Sequence, residues 1–319
     1  MPEPVARRRG VALAPSARRT AEAAPTPRRH RGLVVRRSLT GWGLLAPSLV
    51  GIVVFLAVPI GVVVWLSTQK WNLITPPSFV GAANWGAILA DPAFQTSVVV
   101  TLLFVIMVIP VQTALGLLVA VLLTRRLPGS AVFRVIFLIP WACAPLALGI
   151  VWQWIFAPTG GALNALLGTN VPWLTEPAIA LPAVALVTVW SQVGYIALFF
   201  TAGIAGIPEQ IIDAARVDGA GEARIFFSVT LPLLRPTMFF VLVTSVISTF
   251  QVFDSVFALT GGGPQNTTDV IAYELYQRAF VDFDMGKAAV IAVVLFVVLA
   301  ALTVAQHLWF RRKITYDLS

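Results

Sequence analysis

Six long, predominantly apolar stretches of this chain contain no Asp, Glu, Lys or Arg: 38–69, 92–124, 135–175, 177–208, 236–253 and 288–310. A helix crosses the hydrocarbon of a bilayer with ~20 predominantly apolar residues. The stretches therefore predict six membrane-spanning helices, at roughly 42–66, 94–123, 134–156, 179–206, 237–260 and 287–310. Six buried helices of a soluble core would leave little polar surface to meet water. The expected fold class is an all-α integral membrane protein with six transmembrane helices.

Composition agrees. Hydrophobic residues make up 58% of the chain and charged ones 11%, whereas a soluble domain is ~45–50% apolar and ~25% charged. The net charge of +8 changes meaning once it is located. Residues 1–38 hold ten arginines against Glu3 and Glu22, and the rest of the chain balances. This Ala- and Pro-rich segment reads as a disordered basic tail lying against anionic headgroups. Basic residues near membrane helices mark the cytoplasmic side. With the N-terminus inside, the inner segments hold the tail arginines, Arg125, Arg126, Arg134, Arg216, Arg224, Arg235 and Arg311-Arg312-Lys313. The outer segments keep Lys70, Arg278 and Lys287. Both termini are thus expected in the cytoplasm, with Asp91 and Asn164 outside. The organisation expected is a tail at 1–38, a transmembrane domain at 39–313 with a cytoplasmic loop at 207–236, and a short cytoplasmic tail at 314–319. Arg36-Arg37 before an apolar run fits a signal n-region, but that run extends to Ser67, too far for a cleaved signal. Cys143 is the sole cysteine, so no internal disulfide can form.

Catalytic chemistry has little to stand on. The two histidines are His30 and His307, and no HExxH, CxxC or GxxxxGK[ST] run occurs. No catalytic residue and no metal ligand is assigned, and the chain is not expected to hydrolyse ATP. "TGGGP" at 260–264 reads as a turn rather than a phosphate cradle. Asp254 is the one candidate for an intramembrane carboxylate, set against a plain helix-end role.

Charge returns in "IPEQIIDAARVDGAGEARIFFSVTLPLLRP" (207–236). Pro208 ends the fourth span and Glu209 begins a short amphipathic helix with Ile211, Ile212, Ala214 and Ala215 as its apolar side. Gly219 and Gly221 permit a sharp turn. A second helix carries Ile225, Phe226 and Val229 and is expected to stop at Leu231-Pro232. The pattern is a helix–turn–helix elbow on the cytoplasmic side. The run Asp213-Ala214-Ala215, Gly219, Val229 and Leu231-Pro232 resembles the EAA loop of binding-protein-dependent ABC importer permeases, with Asp for the usual Glu and Val for the usual Ile. "FDSVFALTGGGPQNTTDV", "YELYQRAF" and "LLAPSLVGIVVFLAVPI" resemble the carbohydrate-uptake branch, of MalF or UgpA type. "WACAPLALGIVWQWI" and the "AQHLWFRRKITYDL" ending are most similar to the actinobacterial Usp-type sugar or amino-sugar permease.

The resemblance implies the MetI/MalF-like permease fold and a defined company. A second homologous permease would complete the path, and two cytoplasmic ATPase subunits would hold ATP-Mg. An extracytoplasmic, lipid-anchored sugar-binding protein would deliver cargo. No cofactor is implied on this chain. Coupling would fall to Asp213, Ala214, Ala215, Asp218, Gly219, Phe226, Leu231 and Pro232. Cargo contacts are expected from Trp190, Gln192 and Tyr195 in span four, similar to sugar-contacting positions of maltose-type permeases. In span five, Ser245, Ser248, Thr249 and Val252 share a helical face, with Gln251 just off it. The plainer reading is that these hydroxyls bond their own helix carbonyls and Trp190 packs on a neighbour. Metals, peptides and glycerophosphodiesters are rival cargoes. The lack of His and Cys disfavours metals, and the lack of Lys and Arg within spans four and five disfavours a phosphodiester. A membrane enzyme or assembly factor would need an ionisable cluster at one membrane face, which the sequence does not present.

Overall fold

The computed structural model describes residues 42, 44–124 and 129–311. The expected 1–38 tail, Arg125-Arg126, Arg312-Lys313 and the 314–319 tail lie outside the described residues. Two compact units are distinguished along the chain, 1–57 and 58–319. In the first, the described residues are helical, with a π-helical segment at Val53–Ala57 and no buried side chain. They open helix α1, Leu44–Leu66.

In the second unit the end of α1 leads into a minimal antiparallel hairpin, β1 (Gln69–Lys70) and β2 (Ser78–Phe79), with Gln69 opposite Phe79. Asn84 of α2 (Ala83–Leu89) ties down the base of the hairpin, donating Nδ2–H bonds to the Ser67 and Gln69 carbonyls at 3.0 and 2.8 Å. Then come α3 (Pro92–Thr124), α4 (Ser130–Ala142), α5 (Pro145–Ile155), α6 (Ala162–Leu167) and α7 (Pro177–Ala205). The elbow contributes α8 (Glu209–Val217) and α9 (Glu222–Leu233), the latter with a π-helical segment at Phe226–Thr230. The chain closes with α10 (Arg235–Phe250), α11 (Asp254–Leu259), α12 (Ile271–Tyr276) and α13 (Met285–Arg311).

The core forms where α3 lies along α7. Phe104 and Val108 of α3 meet Val184 and Val187 of α7, with Val256 and Val270 completing the cluster. Small residues on α7 let backbones approach, as in membrane bundles generally. A Cβ on Gly194 would fall on the Phe137 carbonyl of α4, and one on Gly116 of α3 would strike Ile196 of α7. The residues Val58–Leu66 of α1 pack on α13, as does α2. Outward faces remain greasy: Val99, Ile106 and Leu118 of α3 and Val297 of α13 are all exposed. Lipid, not water, can cover such a surface.

Among the described residues four helices, α1, α3, α7 and α13, are long and apolar enough to cross a membrane, or up to six if each of two bent pairs is one span. The bends correct two expectations. The expected single span at 134–156 is instead α4 and α5, set at 97° to one another. Pro145 is the cause: its ring excludes the helical conformation at the preceding residue. Ala144 is accordingly extended at φ −63°, ψ 122°, and Cys143 at φ −77°, ψ 153°. The expected span at 237–260 also fails to continue. α10 meets α9 at 67° and stops at Phe250, short of the expected end. Phe253 then leaves the helical line to pack with Phe257 and Tyr276, at centroid distances of 5.2 and 5.1 Å. The second elbow helix also runs on past Leu231-Pro232 to Leu233, with the π-helical segment Phe226–Thr230 directly before these two residues.

Candidate functional site

The elbow is built from α8, a tight turn and α9. Glu209 in the first turn of α8 and Arg216 in its last suit the helix dipole. Ile211, Ile212 and Ala215 turn partly inward, while Asp213, Ala214, Val217 and Asp218 are exposed. Ala214 therefore belongs to the outer face rather than to the apolar side expected for it. The helix closes with the amides of Asp218 and Gly219 donating to the Ala214 and Arg216 carbonyls, both at 3.0 Å. Gly219 adopts φ +79°, where a Cβ would be strained, and nothing of this chain lies within 4 Å of where that Cβ would stand. Gly221, by contrast, is extended at φ −72° and needs no special backbone.

Arg216 braces the corner from within. Its guanidinium reaches Asp213 on the same helix and Glu222 at the start of α9, both at 3.2 Å. Exposed pairs of this kind contribute little individually, and of the two it is the bond to Glu222 that joins one helix to the next. Behind the turn, Ile225 is buried, while Phe226 packs edge-on against Phe227 at 5.0 Å. Leu231 and Pro232 are half-buried where α9 approaches α10. Two apolar residues absent from the sequence expectation stand out: Val217 is 87% exposed and Phe227 is 66% exposed. Val217 had a signal, being apolar on the face that also carries Asp213 and Asp218. Facing concavities of about 560 and 550 Å³ lie beneath the elbow, lined by residues that include Thr124, Ile212, Arg216 and Thr230.

The second candidate region is the break between α4 and α5. A cavity of about 130 Å³ opens there, lined by Trp141, Cys143, Gly149, Ser191, Gln192 and Ser255, among others. Gln192 lies midway along α7, so the break stands at mid-depth of that helix. Tyr195, one turn along, stacks on Trp141 at 4.7 Å and 16° and meets Phe199 edge-on at 4.8 Å. Trp190 points elsewhere. It meets Trp152 edge-on at 5.3 Å and lines an apolar groove of about 730 Å³ with Met107, Val111, Pro140 and Pro182. The three expected residues of span four thus divide: Gln192 and Tyr195 approach the break, and Trp190 does not.

Span five divides as well. Ser245 and Thr249 are buried, whereas Ser248 and Gln251 are exposed. The Ser248 hydroxyl donates to its own helix at the Ser245 carbonyl, 3.2 Å away. Asp254 opens the short helix α11, outside the regular run of α10. Trp141, Ser191 and Ser255 were not singled out from sequence, since their closeness depends on a break that hydrophobicity does not reveal. Asn164 is a further surprise. It is buried, donates to the Ala157, Pro158 and Val171 carbonyls, and accepts from Thr169, the Val171 amide and Trp173.

With this geometry in place, the likenesses to known proteins can be read. A family model described as "Binding-protein-dependent transport system inner membrane component" matches residues 112–316, which include the whole elbow. Two curated sn-glycerol-3-phosphate transport system permease proteins UgpA are similar, from Agrobacterium fabrum (strain C58 / ATCC 33970) and Brucella abortus biovar 1 (strain 9-941). Each is 34% identical to this chain, over 278 and 279 residues respectively, covering 86% of it and 95% of the relative. Among solved structures, a chain of a bacterial ABC transporter involved in the import of the acidic polysaccharide alginate superposes with a TM-score of 0.77 at 19% identity. It covers 89% of this chain and 99% of its own. A chain of the MetNI methionine ABC transporter, in an inward-facing conformation, gives a TM-score of 0.51 at 19% identity, covering 69% and 95%. At that identity the structural likenesses speak for the fold alone. The UgpA relatives add nothing to the narrower Usp-type resemblance.

Proposed function

This chain belongs to the binding-protein-dependent transport system inner membrane components, and we propose that it forms half of the translocation path of an ATP-driven importer for a sugar or related polyol. As a permease of an ABC importer it is a transporter subunit and not an enzyme. The observation that carries the coupling role is the exposed elbow. Its outer face offers Asp213, Ala214, Val217 and Asp218, and its left-handed Gly219 is free of its own chain. A small-residue face ringed by apolar and acidic side chains suits insertion into a groove of an ATPase subunit, with Phe226, Leu231 and Pro232 passing the push to α10. ATP-Mg would reside on two such subunits, and a second permease would close the path. Delivery falls to an extracytoplasmic binding protein, lipid-anchored as the family resemblance implies. Both termini are assigned to the cytoplasm by the partition of basic residues.

Cargo is placed at the break between α4 and α5. Tyr195 and Trp141 offer aromatic faces to sugar C–H surfaces, and Gln192, Ser191 and Ser255 offer donors and acceptors to hydroxyls. Ser248 and Gln251 lie exposed on α10 and just beyond it, suited to the rest of the path. Ser245 and Thr249, buried in this chain's own packing, act behind that surface, and Trp190 supports it through Trp152. The UgpA relatives raise sn-glycerol-3-phosphate as a second cargo. No Lys or Arg occurs in α7 or between Pro236 and Leu259, so a phosphate would find no cation there, and a neutral polyol or amino sugar fits better. The test is ATP hydrolysis by the reconstituted complex with its binding protein, challenged with neutral sugars, amino sugars and sn-glycerol-3-phosphate. Stimulation by a sugar, lost in Gln192→Ala and Tyr195→Ala with assembly intact, is expected. Stimulation by sn-glycerol-3-phosphate alone would overturn the cargo assignment.

A further inference from the structure

The connection from α11 to α13 gathers acids around one cation. Arg278 lies at the centre. Its Nε–H donates to Glu274 and one Nη–H to Asp91, at the start of α3, both at 2.7 Å, while the other Nη reaches Asp282 at 3.4 Å. Burial alone would lower the guanidinium's affinity for its proton, yet Glu274, Asp91 and Asp282 outweigh it and hold Arg278 above its ordinary value. Lys287, in the first turn of α13, is 3.0 Å from Asp284. A further acid, Asp269, is 6% exposed and its carboxyl meets that of Glu274, which is 4% exposed. One oxygen of Asp269 is buried without a hydrogen-bond partner. Arg278 is already shared among three carboxylates, and its charge favours an ionised Asp269 by less than burial and Glu274 oppose it. Two buried like charges in contact are strongly disfavoured, and a proton between them removes the conflict.

We propose that Asp269 and Glu274 form a proton-binding site that holds one proton on Asp269, donated toward Glu274, and that its release makes this connection sensitive to pH. Burial, and then the Glu274 charge, push the Asp269 carboxyl up to about 7 from 3.8. The charged and titratable groups around it are Glu274, Tyr273 and Arg278 on α12 and the turn after it, Asp91 directly before α3, Asp282 and Asp284 leading into α13, and Lys287 in its first turn. Histidine is absent from this part of the chain, the two in the sequence being His30 and His307. A neutral-range titration here therefore points to the carboxyl pair.

Asp269 sits where such a charge would be felt. Just before it, Thr268 donates to the Gly263 carbonyl at 2.7 Å and meets Thr260 at 2.7 Å, closing the glycine turn. Just after it, the Ile271 amide donates to Thr101 of α3 at 2.9 Å. Losing the proton leaves Asp269, held between these two fastenings, repelled by the Glu274 carboxylate. Because the folded-state affinity for the proton is raised, the stabilisation from this pair is complete below about pH 4. It is lost as pH rises through about 7.

The experiment uses the full-length chain in lipid nanodiscs, with two readouts between about pH 5 and about pH 9. Infrared difference spectra of the wild type should show a protonated-carboxyl band that disappears with a midpoint near pH 7, and Asp269→Asn should lack it. Thermal melts of the wild type should fall across the same interval. Asp269→Asn keeps an N–H to offer Glu274, so its melting temperature should be flat and should exceed the wild type at the alkaline end. No band in the wild type at about pH 5, or a pH step that persists in Asp269→Asn, would overturn the proposal. Should the variant fail to assemble, the wild-type band alone decides. Neither readout depends on what is transported.

Discussion

Replacing Gly219 separates two things the elbow needs, a left-handed backbone and an open face. At φ +79° any L-residue with a Cβ is strained, by roughly 1–2 kcal/mol. That changes a local equilibrium by a factor of roughly 5–30. Asn and Asp carry less of this strain, since their side chains visit the left-handed region most readily. Within this chain a Cβ at this position meets no atom within 4 Å. Strain alone would therefore leave Gly219→Asn and Gly219→Asp folded and nearly active, and Gly219→Ala modestly impaired. Docking predicts a different order. Ala adds one methyl and should retain partial uptake, while Asn and Asp place a branched polar group on the surface that meets the ATPase and should abolish uptake. Membrane insertion and melting temperature should stay near wild type in all three. The assay is radiolabelled sugar uptake beside copurification of the ATPase subunit on a tagged permease. Normal uptake together with normal copurification in Gly219→Asp would refute the coupling assignment.

Two further outcomes are expected. In a Cys143→Ser background, a cysteine at Asn170 should react with an impermeant thiol reagent in intact cells and one at Glu222 should not. Both positions are exposed, and the reverse pattern would invert the topology. Gly194→Ala should cost about 1–3 kcal/mol, since α4 and α7 must part to admit the methyl, and should lower the melting temperature. Gly51→Ala, in open space within a helix, should be neutral or stabilising, and equal melting of the two variants would show that the close α4–α7 contact carries no weight.

Much of the molecule can be read from hydrophobicity because the bilayer imposes one simple demand on each segment, about twenty apolar residues with no charge. α1, α3, α7 and α13 obey it and appear within a few residues of expectation. The two bends do not announce themselves that way, since 135–175 is charge-free on both sides of Pro145. Proline was the only local clue, and α3 and α7 contain Pro110 and Pro182 without a comparable bend. Turn geometry was legible at Gly219 because a positive φ selects for glycine. The division of Trp190 from Gln192 and Tyr195 was not. Side-chain direction on a helix packed by several others depends on neighbours far away in sequence. Asn164 shows the same limit: its six bonds leave no local pattern, and as a probe position it would have given a silent label.

The break at Cys143-Ala144 bears on how this chain can live in a membrane at all. Pro145 has no N–H, so the carbonyl four residues back, on Trp141, cannot find its usual helical donor. Hydrocarbon offers no substitute, and irregular backbone survives at that depth only against protein or water. One flank of the chain is thus unsuited to contact with lipid, while the flank carrying Ile106 and Leu118 is unsuited to anything else. A subunit with one dry wall and one wet wall is incomplete by itself. Cells that make it without a companion should recognise the uncovered side as damage and clear the orphan, so its abundance would be set by its partner's synthesis rather than its own.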